Sequence, residues 1–201
     1  FDTFVESSWY FSRYASPDCD SAILDEREAY WMPVDQYTGG VEHAILHLMY
    51  ARYFVKFLHS QDLVSFDEPF ARLFTQGMIT KDAVKMSKSK GNVVSPEGLI
   101  ERMGADTMRL YILFSGPPER DAEWNDESVE GCFRFLNRVY RQFDAHNHIL
   151  KQYVTQPIDY DALSDGERKL YRKVHWTIDK VLADIHDNFH FNTAISATME
   201  L

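Results

Sequence analysis

The pair Gly39-Gly40, followed by a stretch over 41–58 that is apolar nearly all round, constrains this chain more than any other feature. A helix without a polar face must be buried, so the pattern predicts a buried helix over 41–58 starting directly after the glycines. The run from Trp31 to Tyr37 leads into them as a short strand. A strand, two glycines and a helix N-terminus together form a place where backbone approaches a nucleotide closely. The bare glycine pair is a general signal, since neither G-x-G-x-x-G nor a Walker A sequence occurs in the chain.

The surrounding segments suggest a layered α/β part. Phe1 to Phe11 is strongly aromatic and reads chiefly as core packing, with Ser7 and Tyr10 as hydroxyls that could shape a small pocket. Residues 15–30 read as a surface connection with a short helix near Asp25–Ala29. Thr75 to Ile79 reads as a buried strand. Ser95 and Pro96 open a short helix as cap and first-turn proline, and a second helix runs from Asp106 through Leu113.

Gly116-Pro117-Pro118 ends that helix and marks a domain boundary. Beyond it the periodicity is purely helical. Val129, Cys132, Phe133, Leu136, Val139, Tyr140 and Phe143 define one face, and Arg134, Arg138 and Arg141 another. The arginines read as a solvated face in preference to a contact for RNA phosphates. Ser164 and Glu167 have capping-box spacing. They open a helix with Leu170, Tyr171, Val174, Ile178, Val181, Leu182 and Ile185 turned inward as part of an antiparallel bundle. A break over 188–193 precedes a last helix.

The most unusual chemistry lies between the two parts, in Lys85-Met86-Ser87-Lys88-Ser89-Lys90-Gly91-Asn92. By composition this is a solvated turn. By order it is three flexible point charges and two hydroxyls, closed by residues that tolerate left-handed backbone. Such a loop suits a polyphosphate whose charge shifts during reaction.

The charge balance argues against one function class. With 21 basic and 31 acidic residues the net charge is −10, whereas an autonomous nucleic-acid module is normally basic. Cys19 and Cys132 form no C-x-x-C pair and are compatible with a reducing, cytosolic setting. His43 and His47 are four apart, but Ala44 stands where a metalloprotease glutamate belongs, and they read as a polar or packing pair without metal. No run of 18 apolar residues suggests a membrane span. The chain begins at Phe1 and ends at Leu201 within a helical pattern, and so reads as an internal piece of a longer protein.

Lys-Met-Ser-Lys-Ser resembles the second ATP motif of class I aminoacyl-tRNA synthetases. Together with Glu6-Ser7-Ser8-Trp9-Tyr10, Gly39-Gly40-Val41-Glu42-His43-Ala44-Ile45-Leu46-His47, Thr75-Gln76-Gly77-Met78 and the stretch from Val129 to Val139, the chain resembles the leucyl-tRNA synthetase family over essentially its whole length. The resemblance implies the second, C-terminal half of a Rossmann-like catalytic domain over 1–118. The start of a helical anticodon-binding-type domain follows over 119–201. It implies ATP, leucine and tRNA(Leu) as substrates, Mg2+ accompanying ATP, a cytoplasmic setting, and neither a membrane nor a protein partner. Lys85, Lys88, Ser87 and Ser89 would serve the phosphates. Gly39, Gly40, Glu42, His43 and Gln76 would hold the adenosine and adenylate, with Ile79 and Met86 bordering the adenine. Ser7, Tyr10, Tyr37 and His47 would line the leucine side chain. The His-Ile-Gly-His motif and the editing domain have no counterpart here, so the chain alone is expected to be inactive. A class I relative for another aliphatic amino acid and a non-catalytic helical RNA-interaction module are the alternatives.

Overall fold

The computed structural model describes residues 2–153 and 157–201. Phe1, counted above with the aromatic opening, lies outside them. The chain packs as two compact units, Phe1–Gly77 and Met78–Leu201.

In the first unit Asp2 caps helix α1 (Thr3–Ser7), accepting from the Phe4 amide at 2.9 Å. Helix α2 (Tyr10–Ala15) follows, and Asp25 caps α3 (Glu26–Trp31). Strand β1 (Tyr37–Gly40) contains both glycines. It pairs in parallel with β2 (Leu73–Gln76), matching Gly39 to Thr75 and Gly40 to Gln76. Parallel strands need a crossover, and α4 (His47–Ser60) lies within it. Phe11, Ala51 and Val55 form the core, with Met32, Val34, Phe66 and Phe70 packed around them.

The helix predicted over 41–58 starts later than expected. Val41–Ile45 is a 3-10 turn, and Leu46, at φ −120° and ψ −99°, separates it from the α-helix that opens at His47. Nor is the helix covered all round. Ala51, Val55 and Leu58 are buried, whereas Met49, Tyr53 and Phe57 are exposed. Hydrophobic patterning reports which residues are apolar, not which surfaces cover them.

The run Thr75–Ile79, expected as one strand, is divided between two sheets. Strand β2 ends at Gln76, and β3 (Ile79–Lys81) pairs antiparallel with β4 (Val84–Lys85) and parallel with β5 (Ala122–Glu123). Asp82 and Ala83 turn the β3–β4 hairpin at φ of 54° and 58°, the twist-matched hairpin geometry. Helix α5 (Pro96–Met103) has Ser95 as its cap and Pro96 in its first turn, as the sequence pattern requires. It is followed by α6 (Ala105–Phe114).

Among the described residues the second unit continues with the α-helices α7 (Asp126–Tyr153), α8 (Asp165–Asn188) and α9 (Phe191–Met199), with a 3-10 turn at Tyr160–Ala162 before α8. Ser164 and Glu167 form the expected capping box. Helix α6 packs on α7 and α9, and α8 packs on α9. Buried Asp184 ties α8 to α9 by accepting from Lys180 Nζ at 2.6 Å and Thr193 Oγ1 at 2.7 Å. The apolar face of α7 is covered at Val129 and Cys132 but exposed at Phe133, Tyr140 and Phe143. The set expected inward on α8 divides likewise, with Leu170, Ile178, Leu182 and Ile185 exposed. Among the described residues no helix is long and apolar enough to cross a membrane.

Leu99, Tyr111, Trp124, Val129 and Cys132 form the core of this unit. Tyr111 is only 2% exposed, and its hydroxyl accepts from the Asn125 amide, between β5 and α7, at 2.8 Å. Tyr111→Phe keeps the ring packing and removes that bond, so stability falls by about 1 kcal/mol. Urea unfolding measures it as a lower midpoint with an unchanged slope.

Candidate functional site

A cavity of about 400 Å³ opens in the first unit between α1, β1 and the start of α4. All four residues assigned to a leucine side chain, Ser7, Tyr10, Tyr37 and His47, line it. His43, assigned to the adenylate, lines it too. So do three residues that sequence reasoning missed, Thr3, Phe4 and Leu46. The helical spacing of Thr3 and Phe4 to Ser7 was the signal that could have found two of them.

Tyr37 lies at the centre of the wall. Its ring centroid is 5.6 Å from that of His47 and 4.2 Å from that of Phe70. Burial raises the Tyr37 phenol above its ordinary range, and the neighbouring Tyr10 hydroxyl, its hydrogen-bond partner, adds to the shift. His47 is 7% exposed, and its Nε2 is buried without a hydrogen-bond partner among the described residues. Burial, with the nearby His43 second, lowers its pKa. The cavity wall thus combines aromatic faces, hydroxyls and a predominantly neutral imidazole, a surface suited to an uncharged side chain.

The nucleotide candidates gather at one end of the two-stranded sheet. Because β1 and β2 are parallel, Gly40 and Gln76 mark the same, C-terminal end, the end where open α/β sheets bind ligands. Exposed Glu42 and His43 lie in the 3-10 turn just beyond Gly40. A Cβ on Gly40 would stand 2.7 Å from Glu42 Oε2, whereas one on Gly39 would meet only Tyr37 Cε1, at 3.6 Å. Gly40 therefore lets the Glu42 carboxylate fold back against the strand end.

The remaining candidates belong to the second unit. Ile79 and Met86 are half-buried against its core. Lys85 ends β4, and Lys88–Lys90 forms a 3-10 turn with the side chains of Lys85, Lys88 and Lys90 exposed. Ser87 Oγ and Ser89 Oγ are 2.7 Å apart and hydrogen bonded. Gly91 ends the turn at φ 67°. Asn92, read from sequence only as a turn residue, bonds back to the backbone at Ser87 and Lys85. Among the described residues no group of three or more His, Cys, Asp or Glu side chains has the placement to hold a metal ion.

The first unit thus carries a sheet end with a bare-backbone turn and an aromatic side-chain cavity, and the second carries a serine-lysine loop. The chain belongs to the class I tRNA synthetases (I, L, M and V), whose family model matches residues 1–125. Over its whole length it is 55% identical to a leucine–tRNA ligase of Thioalkalivibrio sulfidiphilus (strain HL-EbGR7) and 58% identical to one of Desulfotalea psychrophila (strain LSv54 / DSM 12343). It spans 24% of the length of each. The agnB2 LeuRS of Agrobacterium radiobacter K84, solved in a ternary complex with tRNA and LeuAMS, superposes with a TM-score of 0.88 at 40% identity, over 99% of this chain and 25% of that one. Mycobacterium tuberculosis methionyl-tRNA synthetase in complex with methionyl-adenylate shares the fold, with a TM-score of 0.68 at 24% identity, over 98% of this chain and 37% of that one. The architecture is α/β followed by all-α: part of a Rossmann-like class I synthetase domain, then helices.

The buried imidazole gives a pH signature. A folded pKa below the unfolded value of about 6.5 means that the unfolded chain binds the extra proton first. The stabilisation from neutral His47 is complete above pH 6.5 and is lost as pH falls from there through the folded value. Thermal unfolding from pH 7.5 to 5 shows the decline, and His47→Gln flattens it over that window.

Proposed function

We propose that this chain is the part of a leucine–tRNA ligase that holds the ATP-binding lysine loop and the wall of the leucine pocket. The observation that carries the reading is the single cavity gathering Ser7, Tyr10, Tyr37, His43 and His47. It occurs in a chain 55% identical throughout to such a ligase. Residues 1–118 are assigned to the catalytic domain and 119–201 to the start of the helical anticodon-binding-type domain. A cytoplasmic setting goes with this role.

In the first step the leucine carboxylate attacks the α-phosphorus of ATP. The bond between that phosphorus and the α,β-bridging oxygen breaks, and pyrophosphate leaves. The nucleophile is already ionised, so the chain supplies position and charge and no general base. Lys85 and Lys88 neutralise charge that grows on the phosphates, and Ser87 and Ser89 hold the turn between them. Mg2+ accompanies ATP, shields its phosphate oxygens, and is assigned no side chain of this chain. Glu42, ionised and therefore acceptor-only, receives hydrogen bonds from the ribose hydroxyls. Gly39 and Gly40 lay bare backbone against the adenosine, His43 and Gln76 hold the adenylate, and Ile79 and Met86 border the adenine. In the second step the 2′-hydroxyl oxygen of the terminal tRNA(Leu) ribose attacks the acyl carbon, the bond from that carbon to the phosphate oxygen breaks, and AMP leaves, the hydroxyl proton passing to the departing phosphate.

Pyrophosphate exchange by the full-length protein tests the reading. Leucine stimulates exchange well above isoleucine or methionine, and the 201-residue chain alone gives none. Lys88→Ala lowers kcat about a hundredfold, the scale of one lost preorganised donor, and leaves the KM for leucine unchanged. Exchange without leucine, or a preference for another amino acid, sinks the assignment. Tight, salt-dependent tRNA binding by the chain alone favours an RNA-interaction module instead.

A further inference from the structure

The lysine loop is held by a residue outside its five-residue motif. Asn92 Oδ1 accepts from the Ser87 amide at 2.9 Å, and Asn92 Nδ2 donates to the Lys85 carbonyl at 3.4 Å. The two partners fix the orientation of the side-chain amide, because an N–H requires an acceptor and a carbonyl a donor. One half-buried side chain therefore reaches five residues back with one end and seven with the other. Gly91 makes the reach possible. Its φ of 67° turns the chain back, and a Cβ there would meet nothing within 4 Å, so its contribution is backbone conformation and not space.

We propose that Asn92 is a positioning residue of the lysine loop, fixing the backbone on both sides of Met86 so that Lys85 and Lys88 face the phosphates in one arrangement. This rests on the adenylate-forming reading above. The Asn92 bonds hold the backbone from Lys85 to Ser87, and the Ser87–Ser89 hydroxyl pair at 2.7 Å holds the next turn. Together they span the segment from which both proposed phosphate-binding lysines project. Asn92 touches neither ATP nor leucine in this role, and its effect passes through the lysines.

The test uses pyrophosphate exchange by the full-length protein with Asn92→Ala, Asn92→Asp, Lys88→Ala and the double variant. Asn92→Ala lowers kcat about tenfold through misplacement of the lysines. The KM for leucine and the thermal midpoint stay at their wild-type values. Asn92→Asp keeps the bond from Ser87 but cannot donate to Lys85, and its kcat falls between. The double variant is slower than Lys88→Ala by less than the factor that Asn92→Ala costs alone, because only the effect through Lys85 remains, the non-additivity of residues acting as a unit. Wild-type kcat in Asn92→Ala overturns the proposal, as do losses that multiply in the double variant. A kcat loss matched by a raised leucine KM and a lowered midpoint also overturns it, because that pattern is general unfolding. If the wild type activates leucine and Asn92→Ala does so at full rate, only this inference falls. If the wild type does not activate leucine, the functional reading falls with it.

Discussion

A loop carrying three lysines in six residues must be held in one shape against its own repulsion, and here the hold is backbone pairing at its base. Strand β3 has only three residues, too few to persist alone, yet it has a partner on each edge. On one side β4 closes the hairpin from which the loop emerges. On the other β5 lies parallel, with the Ala122 amide donating to Met78 O at 2.9 Å and the Trp124 amide to Thr80 O at 2.8 Å. Trp124 and Tyr111, whose rings meet edge-on at 4.8 Å, anchor β5 to the core. The shape of an exposed polar loop thus derives from a buried aromatic pair.

The cavity of the first unit follows a different logic. On the proposed reading it takes a branched aliphatic group, for which each methylene adds only about 1–3 kcal/mol, so shape would do most of the selecting. Shape comes from rings held by other rings. Tyr37 rests on Phe70, Phe70 lies 5.1 Å from Phe11, and Phe11 belongs to the core with Ala51 and Val55. His47 begins α4 while lining the pocket, so the pocket wall and the crossover helix are one element. Keeping that imidazole neutral is part of the design, since a buried imidazolium beside His43 would face both desolvation and repulsion.

What could be read from the chain alone divides along physical lines. Local chemistry was legible: the cap at Ser95, the capping box at Ser164 and Glu167, and the lysine loop are each encoded within a few residues. The convergence of Ser7, Tyr10, Tyr37 and His47 on one cavity entered as an implication of family likeness, because no local rule joins residues forty positions apart. The late start of α4 was not legible, since 3-10 and α turns share the same short-range apolar pattern. The division of Thr75–Ile79 between two sheets was hidden for a related reason. Strand propensity marks extended backbone but not its partner. Tyr53, Phe57, Ile178 and Leu182 show the same limit, because an apolar face read from period 3.6 says nothing about what lies opposite.

The acidic chain and its cationic loop are compatible because the two charges act at different ranges. A net charge of −10 is spread over a whole surface and screened within about 8–10 Å at ordinary ionic strength. On the proposed reading the lysines of the loop act at contact, on a phosphate group, where screening counts for little. Lysine suits that task better than arginine because its ammonium is a point charge on a flexible stem and can follow oxygens as they separate. Flexibility in the side chain is useful only if the backbone beneath it stays fixed, or the charge is delivered to no particular place. Backbone bonds at Lys85 and Ser87, a left-handed glycine at 91 and a paired hairpin below hold the backbone from which those stems project.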